Sequence, residues 1–540
     1  VIDPQRPPRD PPAWLTPLQT ALLEALPRLY GAPVPPAVAS LIGELLGALE
    51  QGRVAVPLPA ELAGEPLADS ALCRAPDGPL VIEAGQVSWR RWHALRQAVL
   101  AALLERAQPH EARQVDPGPS PPAGGTGRSG PSAAGSGSAP GAPEPDQRQR
   151  QAVDAVLGHR LVLLQGGPGT GKTSTVARML AAVLARDPAT RIHLAAPTGK
   201  AAARLRSATG GRHPCGTLHR LLESRGESFA RDRLHPLPLD LLVVDEVSMV
   251  DLALMAAVLE ALPSSARLVL VGDPAQLPPI APGAVLLDLQ RPELQAALGA
   301  AAITLTTTYR NDGAIAAVAA ALRSNLDQAD GTVAASPLEL IRPQLERLKA
   351  KDNLTWQRSN GARLPAAVLA RLQEHLSALA NLAAGCRPGR PEGWRSLLAE
   401  RDRLLVLAPR RRGPWGVEGL HRTLLAEAAG TAADWPEGLP VLCTRNLPEL
   451  GLANGDVGVL VGAPGSADRQ MLFSGDEPLW IHPVQLVGAA EPALALTVHK
   501  AQGSEASEVI VLLADPMAEA RLLYTALTRA RERVLLITPE

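Results

Sequence analysis

The chain of 540 residues is short of aromatic side chains: eight Trp, three Tyr and two Phe amount to 2% of it. Its cores must therefore be packed from Leu, Val and Ala, and an apolar share of 46% is enough for large ones. Lysine is scarce too. Of 53 basic residues five are lysines, namely Lys172, Lys200, Lys349, Lys351 and Lys500, and the rest are arginine. The four cysteines, Cys73, Cys215, Cys386 and Cys443, are scattered, with no two at C-x-x-C spacing. That spacing argues against an iron–sulfur cluster, a structural zinc or a disulfide framework and fits the reducing cytoplasm. The formal net charge is −1, so there is no global basic field and any nucleic-acid site must be a local groove. No uncharged run reaches the roughly 18–20 apolar residues of a membrane span. The start, VIDPQRPPRD, lacks the apolar core of a signal peptide, and Val1 in place of an initiator Met points to trimming.

What is present divides the chain. Residues 113–147 are nearly all Pro, Gly, Ser and Ala, a composition that buries little apolar surface and reads as a flexible linker. Before it, residues 1–112 are expected to form a mainly helical docking domain. PPAVASLIGELLGALEQG and SWRRWHALRQAVLAALLERA have helix-spaced apolar residues, and VAVPLP is extended. After it, short apolar runs alternate with helical stretches: LVLLQGG, RIHLAAPTG, LLVVDE, RLVLVGD, RLLVLAP, EVIVLL and RVLLI. This pattern predicts an α/β fold with parallel sheets covered on both faces, and ligands beyond the carboxyl ends of the strands. Residues 314–400 are Ala- and Leu-rich and expected to be helical. Residues 440–488 carry Asn-Gly and Gly-Asp turns between β-rich runs and predict a small antiparallel barrel inserted in the second half.

The chemistry begins at GGPGTGKT, comprising Gly166, Gly167, Pro168, Gly169, Thr170, Gly171, Lys172 and Thr173, with Ser174 next in line. The spacing is G-x-x-x-x-G-K-[ST], after a strand and opening a helix. Glycines let backbone N–H groups curl around phosphates, and the helix N-terminus adds partial positive charge. Lys172 is a compact charge that can reach the β- and γ-phosphates of ATP, and Thr173 can hold Mg2+. In LLVVDEVSM, Asp245 can bind Mg2+ and Glu246 can polarise an attacking water. In LVLVGDPAQLPPI, Gln276 can meet both the γ-phosphate and that water.

Taken in order, GGPGTGKT, APTGKAA, VVDEVSM, GDPAQLP, TYR, TVHKAQGSE and LLYTALTRAR resemble a superfamily 1 DNA helicase and, more closely, the RecD family, the alpha subunit of exodeoxyribonuclease V. The resemblance runs from about 147 to 540 and more loosely into the N-terminal region. It implies two RecA-like motor domains, over 148–313 and 314–540, the second with an SH3-like insertion, and ATP and Mg2+ bound between them. It implies that Gln149 reads the adenine edge and Tyr309 stacks on the base. Arg310 and Arg529 would reach the γ-phosphate from the second motor domain. Pro197, Thr198, Lys200, Thr217, His219 and Arg220 would touch a single strand in the first motor domain, and Thr497, His499 and Lys500 in the second. Gly503 and Glu505, with Gln502, would link strand and nucleotide.

Trp415, in RRRGPWG, either stacks on a base or packs beneath the basic loop. Lys349 and Lys351 read as solvated. The resemblance implies 5′→3′ translocation on DNA ends, RecB-like and RecC-like partners, no membrane, and cutting by another subunit. A free-standing RecD-like helicase is the alternative, although only about 112 residues precede the linker here. A P-loop binding protein without unwinding is disfavoured by the complete catalytic set.

Overall fold

The computed structural model describes residues 15–31, 34–63, 67, 70–109, 145–226, 228–308, 313–328, 336–359, 364–387, 393–413, 415–425, 434–475, 477–514 and 519–540. The linker expected over 113–147 lies outside these as far as residue 144; Gln147 already opens the helix Gln147–Gly158.

Two parallel α/β sheets organise the molecule. The first has the order Ala302–Leu305, Leu161–Gly166, Arg267–Gly272, Leu241–Val244, Ile192–Ala196, Cys215–Thr217, all parallel. Leu161–Gly166 and Leu241–Val244 are buried along their whole length, which is why they read as the apolar runs LVLL and LLVV. The second has the order Leu354–Ser359, Ala530–Pro539, Ala506–Leu512, Leu404–Ala408, Ala495–Thr497, again all parallel. These two sheets are the cores of two lobes, as the α/β expectation requires. The four edge strands, Ala302–Leu305, Cys215–Thr217, Leu354–Ser359 and Ala495–Thr497, were not anticipated; they are short or half-exposed. Leu354–Ser359 interrupts a region expected to be helical, among the helices Ala314–Gln328, Pro337–Leu345, Ala366–Ala384 and Trp394–Arg401.

The segment expected as a barrel forms a five-stranded antiparallel sheet, in the order Leu479–Ile481, Gln470–Phe473, Val457–Val461, Pro440–Cys443, Ala490–Pro492. No pairing between its two outer strands closes it among the described residues.

The N-terminal region holds the helices Leu15–Tyr30 and Pro36–Glu50 over a three-stranded antiparallel sheet, Ala55–Pro57, Gln86–Trp89, Leu80–Glu83. The hairpin turns at Ala84 and Gly85, both with positive φ. These elements share one apolar core around Leu41, Ile42, Leu45, Leu72 and Leu80. The helix Arg90–Ala107 does something else. Its Val99, Leu100, Leu103 and Ala107 are buried in the core of the first lobe with Met255 and Val258. Arg106 closes that contact: its guanidinium donates to the carbonyls of Ala266 at 2.9 Å, Leu262 at 3.0 Å and Pro263 at 3.1 Å. Arg96 pairs with Asp288 nearby.

Arg106→Ala takes the guanidinium from the carbonyls of Leu262 and Ala266, beyond the helix Leu252–Ala261, while that of Pro263 keeps the Ala266 N–H. Thermal unfolding should show the first lobe weakened by about 2–4 kcal/mol; an unchanged midpoint would mean that this contact does not hold the helix to the lobe.

Candidate active site at the seam between the lobes

The strand Leu161–Gly166 ends in the glycine loop, and the helix Lys172–Arg186 leaves it. Gly169 and Gly171 take positive φ of 72° and 82°, which an L side chain rarely adopts, so the loop can fold back over the helix N-terminus. Thr170 Oγ donates to the Gly167 carbonyl at 2.8 Å, and Ser174 and Thr175 hydroxyls donate to that of Gly171. Lys172 Nζ lies inside the loop, donating to the carbonyls of Gly166 at 2.7 Å and Gly167 at 3.0 Å. Burial pushes its ammonium below the ordinary lysine value, while Asp273, Glu246 and Asp245 pull it back. Three carboxylates therefore converge on this one ammonium.

Asp245 and Glu246 follow the buried strand Leu241–Val244. Burial and the charge of Glu246 push the Asp245 carboxyl up to about 6. Glu246 has φ of 53°, a left-handed backbone on a non-glycine residue, which is a mark of local strain. Burial would raise its carboxyl too, but Arg204, Arg529 and Lys172 outweigh it and hold it below the ordinary value. Arg204 was not singled out from the sequence. Its Nη2 donates to Glu246 at 2.5 Å and its Nη1 to Glu505 at 2.8 Å, so one guanidinium ties the first-lobe acid to the second lobe.

Gln276 is buried, and among the described residues its Oε1 has no hydrogen-bond partner. An unsatisfied buried amide oxygen fits a group that awaits a water or ligand donor. Ser248 Oγ, just beyond the acid pair, is in the same condition. Arg529 is buried in the second lobe, where Nε donates to the Thr525 carbonyl at 3.2 Å and Nη1 to that of Ser504 at 3.4 Å. Its charge acts on Glu246 across the seam. Tyr309 and Arg310 lie outside the described residues. Gln149 is buried on the helix Gln147–Gly158 and accepts from Arg178 Nη1 at 2.6 Å. That bond engages one of the two lone pairs of its amide oxygen.

The residues expected to touch a strand fall in separate places. Thr198 caps the helix Gly199–Ala208 through Ala201 N–H, and Lys200 Nζ donates to Ser504 Oγ at 3.1 Å. A Cβ at Gly503 would stand 2.8 Å from Thr198 Oγ, so only glycine permits this approach of the two lobes. Thr217 pairs in register with Ala196, which places it beside Pro197 at the carboxyl end of the sheet. It caps the short turn carrying His219 and the exposed Arg220. Lys200 and Arg204 line a cavity of about 440 Å³ with Arg401, Asp456 and Glu505. Thr497 and Lys500 line a second, of about 300 Å³, with Arg411, Arg422 and Glu491; Leu496 lies in both. Lys500 pairs with Glu491, and His499 is half-buried. Trp415 is buried against Val368, Leu372 and Leu420, which decides for packing. Lys349 and Lys351 are exposed. None of the four cysteines forms a disulfide, and no group of three or more His, Cys, Asp or Glu that could hold a metal occurs among the described residues.

The AAA domain profile matches residues 149–282, and the UvrD-like helicase C-terminal domain profile matches residues 492–537. The chain is 38% identical over 443 residues to the RecBCD enzyme subunit RecD of Mycolicibacterium smegmatis, covering 73% of this chain and 71% of that one. The chain belongs to the RecD family. Within that family it is also 35% identical over 401 residues to the ATP-dependent RecD2 DNA helicase of Deinococcus radiodurans, covering 72% of this chain and 48% of that one. A solved structure of two coordinating Pif1 helicases at forked DNA aligns with a TM-score of 0.42 at 15% identity, over 73% of this chain and 92% of that one. This RecD-family protein is an ATP-dependent DNA helicase, and no helix among its described residues is long and apolar enough to cross a membrane.

Lys172→Gln should abolish ATP hydrolysis. Because burial of the ammonium is itself unfavourable, it should leave the nucleotide-free unfolding midpoint at or above that of the parent. Normal DNA-stimulated turnover in this variant would refute the assignment of the loop.

Proposed function

We propose that this chain is the RecD motor of a RecBCD-type exodeoxyribonuclease V, moving 5′→3′ along one strand of a DNA end and acting in double-strand break repair. The observation that carries the reading is the chain of contacts Glu246–Arg204–Glu505, flanked by Lys200 on Ser504. It joins a hydrolytic acid in one lobe to the turn expected to follow the strand in the other.

In this reading Glu246 polarises the attacking water, Gln276 orients it against the γ-phosphate, and Lys172, Arg310 and Arg529 stabilise the charge that develops on the transferred group. Gly166 to Ser174 wrap the phosphates. Gln149 and Tyr309 hold the base, and Gly503 and Glu505 transmit closure. Thr173 and Asp245 suit Mg2+: the ion keeps most of its shell as water and phosphate oxygen, so one hydroxyl and one buried carboxylate in need of a cation are enough. When bound, it would neutralise phosphate charge. Pro197, Thr198, Lys200, Thr217, His219, Arg220, Thr497, His499 and Lys500 take the sugar-phosphate backbone. Residues 148–313 and 314–540 are the two motor domains. Residues 1–112 dock on a partner, and the sheet within 440–488 is SH3-like. The work is done in the cytoplasm, where the DNA is.

The RecBCD enzyme subunits among the relatives support RecB-like and RecC-like partners; the RecD2 relative supports the alternative of a helicase that acts alone. Co-expression with RecB-like and RecC-like chains should yield a stable heterotrimer. Purification of this chain alone as a processive, fully active helicase would overturn the subunit reading.

A second test concerns Lys200. Burial, helped by the charge of Arg401 and opposed by Asp402 and Asp456, brings its ammonium down to about 8. A strand phosphate would raise it again. Below that value Lys200 is already protonated and binding takes up nothing; above it, binding must bring a proton. Calorimetry at about pH 9, in two buffers of different ionisation enthalpy, should show proton uptake on single-strand binding, absent in Lys200→Arg. Equal uptake by both proteins would remove Lys200 from the strand site.

A further inference from the structure

Beyond the groups already assigned, one further cation of the second lobe reaches the phosphate loop. Arg323 lies on the helix Ala314–Gln328, which packs through Val318 and Leu322 into the second-lobe core. A Cβ placed on Gly167 would stand 2.9 Å from Arg323 Nη1 and 3.3 Å from the Tyr524 hydroxyl. Gly167 therefore has a second-lobe guanidinium directly over it.

That position matters because of Lys172. Its Nζ rests on the carbonyls of Gly166 and Gly167, so this end of the loop is where the terminal phosphates come. Arg323 approaches the same glycine from the opposite lobe. Its resting partner is a loose one: Nη2 stands 3.9 Å from Asp273 Oδ1, beyond hydrogen-bond distance. Asp273 does not depend on it. The fully buried Asp273 carboxylate accepts from the Tyr524 hydroxyl at 2.8 Å and from Ala275 N–H at 3.1 Å. Arg323 is 25% exposed, so it keeps room to swing. A planar guanidinium that points at a phosphate site and is only loosely paired has the form of a phosphate ligand rather than of a fixed structural ion pair.

We propose that Arg323 is a nucleotide-binding residue that donates to an oxygen of the γ-phosphate of ATP, giving the seam a means to tell ATP from ADP. The proposal rests on the nucleotide occupying the glycine loop. On binding, the guanidinium exchanges its loose contact with Asp273 for a charge-assisted bond to the terminal phosphate and draws the helix Ala314–Gln328 toward the loop. ADP offers no oxygen at that place and leaves Arg323 where it is.

The test is equilibrium binding of ADP and of a non-hydrolysable ATP analogue to the full chain, parent against Arg323→Gln and Arg323→Lys. Arg323→Gln should weaken the analogue by roughly tenfold and leave ADP unchanged; Arg323→Lys, which keeps a charge but loses the fork, should fall between. A merely structural pair with Asp273 would weaken both nucleotides equally, and that result overturns the proposal, as does an unchanged analogue affinity. If the parent binds neither nucleotide while remaining folded, the glycine-loop reading fails first and takes this proposal with it. If the parent binds both but Arg323→Gln fails to fold, the affinities of Arg323→Lys decide by the same criterion.

Discussion

One constraint underlies the rest: the segment Asp273–Leu277, which belongs to the first lobe, is buried in the second. Ala275 and Leu277 sit in the apolar core of the second lobe with Leu322, Leu522 and Leu523. The backbone of Leu277 is held on both sides. Its N–H donates to Thr525 Oγ at 2.9 Å, and its carbonyl accepts from Gln502 Nε2 at 2.9 Å. Tyr524 binds Asp273, and Arg521 donates to the Pro274 carbonyl. Each such bond contributes about 1 kcal/mol net, but none can be broken cheaply, because every buried group would then be left without a partner. The two lobes are thereby pinned to each other at this plug. That is what brings Lys172, Glu246 and Gln276 of one lobe within reach of Arg323 and Arg529 of the other.

The same seam offers the proposed function a direct route from strand to hydrolysis. Lys200 and Arg204 are four residues apart on the helix Gly199–Ala208 and so share a face. One meets Ser504 and the other Glu505. A turn of the second lobe thus grips a helix of the first at two adjacent points, and the second point is also the partner of Glu246. In the proposed reading, a shift of that turn would reach the acid through a single guanidinium, without any need for a long relay.

Much of this was legible in the sequence because some residues carry their own context. The glycine loop needs a strand before it and a helix after it, and both are written in the apolar pattern around 161–186. Asp245 and Glu246 follow an unbroken apolar run. Arg204 and Arg323 had no such announcement. Each is an arginine on a helix in a chain full of arginine, and sequence spacing says which face of a helix a residue occupies, not what a distant lobe brings against it. Leu354–Ser359 was missed for a related reason: as an edge strand it mixes polar and apolar residues and has no covered second face to enforce a pattern. The N-terminal hairpin turned at Ala84-Gly85, outside the usual Asn-Gly signal. Trp415 looked available to a base because its neighbours are basic; the arginines are at the surface while its ring is inside.

The most direct test of the two-lobed account is single-turnover cleavage of ATP already bound to the protein, with Arg529→Gln set against the parent. If the second lobe completes the catalytic site, the variant holds ATP about as well as the parent and cleaves it roughly a thousandfold more slowly. Cleavage of the bound ATP at the parental rate would show that the first lobe hydrolyses by itself, and the account of the seam would be wrong.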